Sequence, residues 1–117
     1  MQSLAFLNPI TPGKTEEWKS WGDELAGPRH NEYLASRRRL GITAERAYHQ
    51  QTPMGDFAVV YIEAEDLQRV FEGLATSQDP FDVWFRERIK DLFSGTDLAQ
   101  QPPPYPPPEL VFDGMAR

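Results

Sequence analysis

An α+β domain with the element order β-α-β-β-α-β is the fold class this sequence predicts, and three observations carry it. Between Asp66 and Gly95 the chain spells a helix start, an amphipathic stretch, a second helix start and a second amphipathic stretch. Segments that alternate like strands lie on either side. In the middle, Thr52-Pro53-Met54-Gly55-Asp56 supplies turn chemistry between two of those segments, which reads as a hairpin.

Taken in order, Ser3 to Ile10 is the first strand, with Leu4, Phe6, Asn8 and Ile10 on one face and Ser3, Ala5, Leu7 and Pro9 on the other. Pro12-Gly13 ends it. Thr15 followed by Glu16 and Glu17 marks a helix N-terminus, with Thr15 as the expected cap. Trp18, Trp21 and Leu25 recur at i, i+3 and i+7, one helical stripe. Gly27-Pro28 interrupts that helix, and a second segment is expected from Pro28 to Leu40, closed by Gly41. Its inward stripe reads His30, Tyr33, Leu34, Arg37 and Leu40.

Thr43 to Gln51 is the second strand, in which Arg46, Tyr48 and Gln50 alternate against Ala47, His49 and Gln51. Phe57 to Glu63 is the third, β-rich and apolar on both faces. Asp66 caps a short helix carrying Leu67, Val70, Phe71 and Leu74. Asp79-Pro80 opens the next by the cap-then-proline rule. Residues 100–108 (QQPPPYPPP) form a proline-rich strap, expected as an extended arm, and Glu109 to Asp113 is expected as a last strand. With each helical section split in two, this is the ferredoxin-like pattern. An antiparallel sheet of this kind has one face covered by its own helices, and the apolar second face predicts a homodimer packed sheet to sheet.

Length and composition set bounds. The 117 residues make one domain, so a sizeable ligand cavity is expected to need a second subunit. The chain is 39% hydrophobic and 26% charged, ordinary for a folded domain. It has no cysteine, which removes disulfides and thiolate catalysis. No apolar run approaches the roughly 18 residues of a membrane span, and Met1 to Ile10 lacks the pattern of a signal peptide, so a cytoplasmic location away from membranes is expected. A net charge of −6 argues against nucleic-acid binding. Residues 29–52 run the other way, with Arg29, Arg37, Arg38, Arg39 and Arg46 against Glu32 and Glu45.

The stretches FLNPITPGKTEEWKSW, YLASRRRLGIT, GDFAVVYIEAED and DPFDVWF resemble a family of small uncharacterised bacterial proteins, dimeric α+β barrels distantly similar to antibiotic-biosynthesis-type monooxygenases. That resemblance implies a fold, and for an enzyme it implies cofactor-free oxidation or proton transfer. It implies no assignment of catalytic residues.

Candidate chemistry is sparse. His49 is the expected acid or base, since a strand histidine facing a cavity titrates near neutral pH. The plainer reading places it at a solvated strand end. Arg37 is the expected anion partner, against a structural bridge to Glu32, Glu45 or Asp66. Tyr48 and Tyr61 are expected to orient a ligand, with His30 and Trp21 at its edge. The aromatic residues either line a pocket for a flat molecule or simply fill the core. Two histidines without motif spacing predict no metal site, and no cofactor motif is visible. Pro102-Pro103-Pro104-Tyr105 matches the form read by WW modules, with a brace for the dimer as the plainer reading. Two functions follow: a dimeric protein binding a small aromatic or anionic metabolite, with monooxygenase-like or proton-transfer activity as an enzyme, or a non-catalytic interaction module. An enzyme is expected to show a pocket where His49 or Arg37 meets Tyr48 or Tyr61.

Overall fold

A computed structural model describes residues 1–98 and 108–114. In order, these form β1 (Gln2–Pro9), α1 (Thr15–Ala26), α2 (His30–Leu40), β2 (Ile42–Thr52), β3 (Gly55–Ala64), α3 (Leu67–Thr76) and α4 (Pro80–Leu92). The strands make a three-stranded antiparallel sheet in the order β1-β3-β2. The four helices supply the rest of an α+β fold.

Local chemistry explains the boundaries. Asp66 accepts a hydrogen bond from the Arg69 amide at 3.2 Å and Asp79 one from the Phe81 amide at 3.0 Å, so both helices start on a carboxylate cap, the second with proline in its first turn. Gly41 ends α2 at φ 86°, the left-handed cap that glycine adopts without strain. Two starts differ from the sequence reading. The α1 cap is Lys14, because the Thr15 hydroxyl reaches instead to Asp56 Oδ2 at 2.7 Å and ties the helix to the β2–β3 turn. Helix α2 begins at His30, after Gly27, Pro28 and Arg29 are used up in turns.

Register separates the two faces of the sheet. Asn8, Ala58 and His49 align across the strands, as do Phe6, Val60 and Ala47, and this face turns to the helices. Ala58, Ile62 and Ala64 are fully or almost fully buried under Trp21, Leu40, Phe85 and Leu92. The opposite face carries the row Leu7, Val59 and Tyr48, flanked by Pro9 and Phe57 on one side and by Ala5, Tyr61 and Arg46 on the other. Leu7 and Tyr48 are each 59% exposed, so nothing among the described residues covers that row.

The buried stripe of α2 is rotated from the expected one. Ser36, Arg37 and Leu40 are buried with Tyr33 partly so, while Leu34 and His30 are exposed. Ser36 faces inward because it donates to a buried carboxylate, Asp82 Oδ1, at 2.5 Å. Ser77 at the end of α3 donates to Asp82 Oδ2 at 2.6 Å, and Arg39 Nη2 reaches Oδ1 at 3.2 Å. Burial alone would raise the Asp82 carboxyl, but these three donors hold it below the usual range. Helix α3 comes close to α2 at Gly73, where an added Cβ would lie 2.6 Å from Leu40 Cδ2 and the Leu40 side chain would have to shift.

The expected strand at Glu109–Asp113 is not formed. Leu110, Val111 and Phe112 are 78%, 86% and 81% exposed and carry no strand backbone, since so short a segment needs a neighbouring ladder to become one. Of the proline-rich strap, residues 100–107 lie outside the described residues.

Candidate functional site

The helices do not close completely onto the sheet, and a cavity of about 390 Å³ remains between them. It lies within a single chain, so the expectation that a sizeable cavity needs a second subunit is corrected. Strand alternation brings Phe6, Val60 and Ile62 to its floor, and the i, i+3, i+7 stripe of α1 brings Trp18, Trp21 and Leu25 to its side. Phe85 packs on Trp21 with ring centroids 4.8 Å apart. The walls are thus mostly apolar and aromatic, the lining typical of small-molecule sites.

The charged and hydrogen-bonded polar pair of that wall is Tyr33 and Glu45. Tyr33 on α2 donates to Glu45 Oε1 on β2 at 2.5 Å, and both residues line the cavity. Behind them Arg37 Nε donates to the same oxygen at 2.8 Å and Nη2 to Glu45 Oε2 at 3.4 Å. Arg37 is 4% exposed, its Nη1 donates to Ser36 Oγ at 3.0 Å, and its guanidinium stacks on the Phe85 and Tyr33 rings at 4.2 and 4.7 Å. Burial opposes the charge on both partners, yet Arg37 keeps the Glu45 carboxyl below the usual range and Glu45 keeps Arg37 protonated. Burial, and then the Glu45 charge, push the Tyr33 phenol well up.

Asn8, 8% exposed on the inner face of β1, also lines the cavity, and its side-chain amide has no hydrogen-bond partner among the described residues. The Trp21 indole Nε1 is buried without one.

The sequence-expected residues fall in four places. Trp21 and His30 line the cavity, His30 at an exposed position where its Nδ1 lies 3.2 Å from the Leu25 carbonyl and its ring stacks on Tyr33. Arg37 stands behind the wall with its donors committed to Glu45 and Ser36, the structural bridge of the sequence reading. His49 faces the helices but is not part of the cavity lining. Its Nε2 is buried 3.4 Å from Asp56 Oδ2, out of hydrogen-bond alignment, and the Trp18 ring lies edge-on at 6.0 Å. The Thr15 hydroxyl, and beyond it the His49 ring, hold the Asp56 carboxyl below the usual range.

Tyr48 and Tyr61 lie on the outer face, away from the cavity, where Tyr61 donates to Glu63 Oε2 at 2.5 Å. That bond pushes the Tyr61 phenol up. The expected meeting of His49 or Arg37 with Tyr48 or Tyr61 therefore does not occur, because neighbours on a strand project from opposite faces. Sequence reasoning misses Glu45 and Asn8, and offers Tyr33 only among the aromatic residues that either line a pocket or fill the core. Alternation places Glu45 on the face of Ala47, and the helical stripe includes Tyr33, so both signals were present in the sequence.

Among the described residues no group of three or more histidine or carboxylate side chains is placed to hold a metal ion. No helix among them is long and apolar enough to cross a membrane.

The profile of the Family of unknown function (DUF6176) matches residues 1–100. No curated protein and no solved structure matches the chain. With the match covering most of its length, including every strand, every helix and the whole cavity wall, this chain belongs to the Family of unknown function (DUF6176).

Proposed function

We propose that this protein binds a small aromatic metabolite in the cavity between sheet and helices, and that it does so as a homodimer. One observation carries the binding reading: a largely apolar cavity of about 390 Å³ with a hydrogen-bonded Tyr33–Glu45 pair in its wall. The same wall favours binding over catalysis. A general acid or base works best when it titrates near the operating pH, whereas Glu45 is pushed down and Tyr33 up. His49, the acid or base expected of a monooxygenase-like or proton-transfer enzyme, stands outside the cavity.

The dimer rests on the uncovered row Leu7, Val59 and Tyr48 and its apolar flanks. Pairing of two such sheets is the arrangement of dimeric α+β barrels. The antiparallel order β1-β3-β2 supports a ferredoxin-like sheet with the edge of β1 open for a fourth strand. Native mass spectrometry of protein purified without added ligand tests both parts. A dimer carrying a discrete extra mass supports them, an empty dimer counts against tight retention of a metabolite, and a monomer at micromolar concentration removes the paired-sheet arrangement.

A further inference from the structure

The cavity wall has a definite polarity. Glu45 presents a carboxylate to the cavity, and the Tyr33 hydroxyl beside it already donates its hydrogen bond to Glu45 Oε1 at 2.5 Å. What remains open on both groups is lone pairs, which accept hydrogen bonds. The compensating positive charge is not on the cavity side. Arg37 is 4% exposed, and its Nε, Nη1 and Nη2 donate to Glu45 and Ser36 behind the rings of Tyr33 and Phe85. Arg46, next to Glu45 on β2, also borders the cavity, but it is in register with Tyr61 and its charge acts on the Tyr61 phenol of the outer face.

An incoming carboxylate would therefore meet the Glu45 charge and lone pairs at this wall, the Arg37 guanidinium being committed behind it, while the donors left on the other walls, the Trp21 indole Nε1 and the Asn8 amide, are neutral. An aryl hydroxyl or amine would meet partners suited to it, and charge-assisted hydrogen bonds of that kind are the stronger sort. The Asn8 amide, on the β1 side of the cavity, adds a group that can donate or accept.

From this geometry we infer that the cavity selects a neutral aromatic ligand that donates a hydrogen bond, of the phenol or aryl-amine class, and rejects the matching aromatic carboxylate. The inference rests on the binding reading above and adds the sign and direction of the polar contact.

Three probes of one ring system separate the two: 2-naphthol, 2-methoxynaphthalene and 2-naphthoate, titrated calorimetrically into the intact chain near neutral pH. The expected result is that 2-naphthol binds about tenfold or more tighter than either of the others, the worth of one hydrogen bond to a charged acceptor. Tyr33→Phe, which keeps the ring and the Glu45–Arg37 pair and frees the Glu45 Oε1 lone pair that the Tyr33 hydroxyl occupies, is expected to keep or widen the preference for 2-naphthol over 2-methoxynaphthalene and to leave 2-methoxynaphthalene binding unchanged. Naphthoate binding as tightly as naphthol would overturn the inference while leaving the cavity as a binding site. Equal binding of naphthol and its methyl ether would overturn the donor assignment. Binding of none of the three would overturn the binding reading itself, and this inference with it.

Discussion

The Arg37 guanidinium and the Glu45 carboxylate meet at 2.8 Å across the α2–β2 contact, with Arg37 almost wholly buried and Glu45 opening onto the cavity. One ion pair thus joins the helical layer to the sheet and forms the polar wall of the candidate site. Breaking it leaves an uncompensated charge in the interior. Glu45→Leu or Arg37→Met is expected to cost about 3 to 5 kcal/mol in urea denaturation. The double variant is expected to cost much less than the two single costs added, because no charge is left stranded.

Acid should act through the same carboxylate and through Asp82. Both folded-state carboxyls lie below their ordinary values of 4.5 and 3.8, so their stabilising contribution is complete above those values and is lost as the pH falls through the folded ones. Melting temperature is expected to decline below about pH 4.5 and to decline less steeply in Glu45→Gln. Tyr33 works in the opposite sense. Its phenol is raised above 10.0, so its contribution holds below that pH and is lost as the pH climbs beyond it.

The outer face gives a test of assembly. Val59 lies between Leu7 and Tyr48 in the uncovered row, so Val59→Arg places a charge at the centre of the proposed dimer contact. Sedimentation should find wild-type dimers and variant monomers with unchanged circular dichroism. A monomeric wild-type protein would remove the paired-sheet arrangement.

His49 gives a negative control. Because it is not part of the cavity lining, His49→Ala is expected to leave 2-naphthol affinity within about twofold of wild type, as for separate sites. A large loss in calorimetric titration would bring His49 back into the site.

Asp66 tests the local rules. Its carboxylate caps α3 at the Arg69 amide, and Asp66→Ala is expected to cost about 1 kcal/mol by urea denaturation, while Asp66→Asn should retain most of that stability.

The fold was legible where local chemistry decides it. Strand alternation, the Asp66 and Asp79-Pro80 starts and the Gly41 stop are short-range effects, and the elements formed close to where they indicated. The site was less legible because it depends on which face each element turns inward. The stripe His30, Tyr33, Leu34, Arg37 and Leu40 was drawn as an apolar pattern, whereas the helix is rotated by a polar demand, the bond from Ser36 to an Asp82 forty-six residues away. Tyr48 and His49 were grouped by adjacency, although period-2 geometry sends them to opposite sides. Glu109–Asp113 has the composition of a strand but no pairing strand among the described residues.

Asp82 gathers Ser36 and Arg39 of α2 and Ser77 at the end of α3 onto one carboxylate of α4. None of those three helices can swing away without stripping an anion of its donors, so they behave mechanically as one plate resting on the sheet. Amide hydrogens in α2, α3 and α4 should then exchange with solvent deuterium as a cooperative unit, at a shared slow rate. Helix α1 has no bond to that carboxylate, and its amides are free to exchange on a schedule of their own.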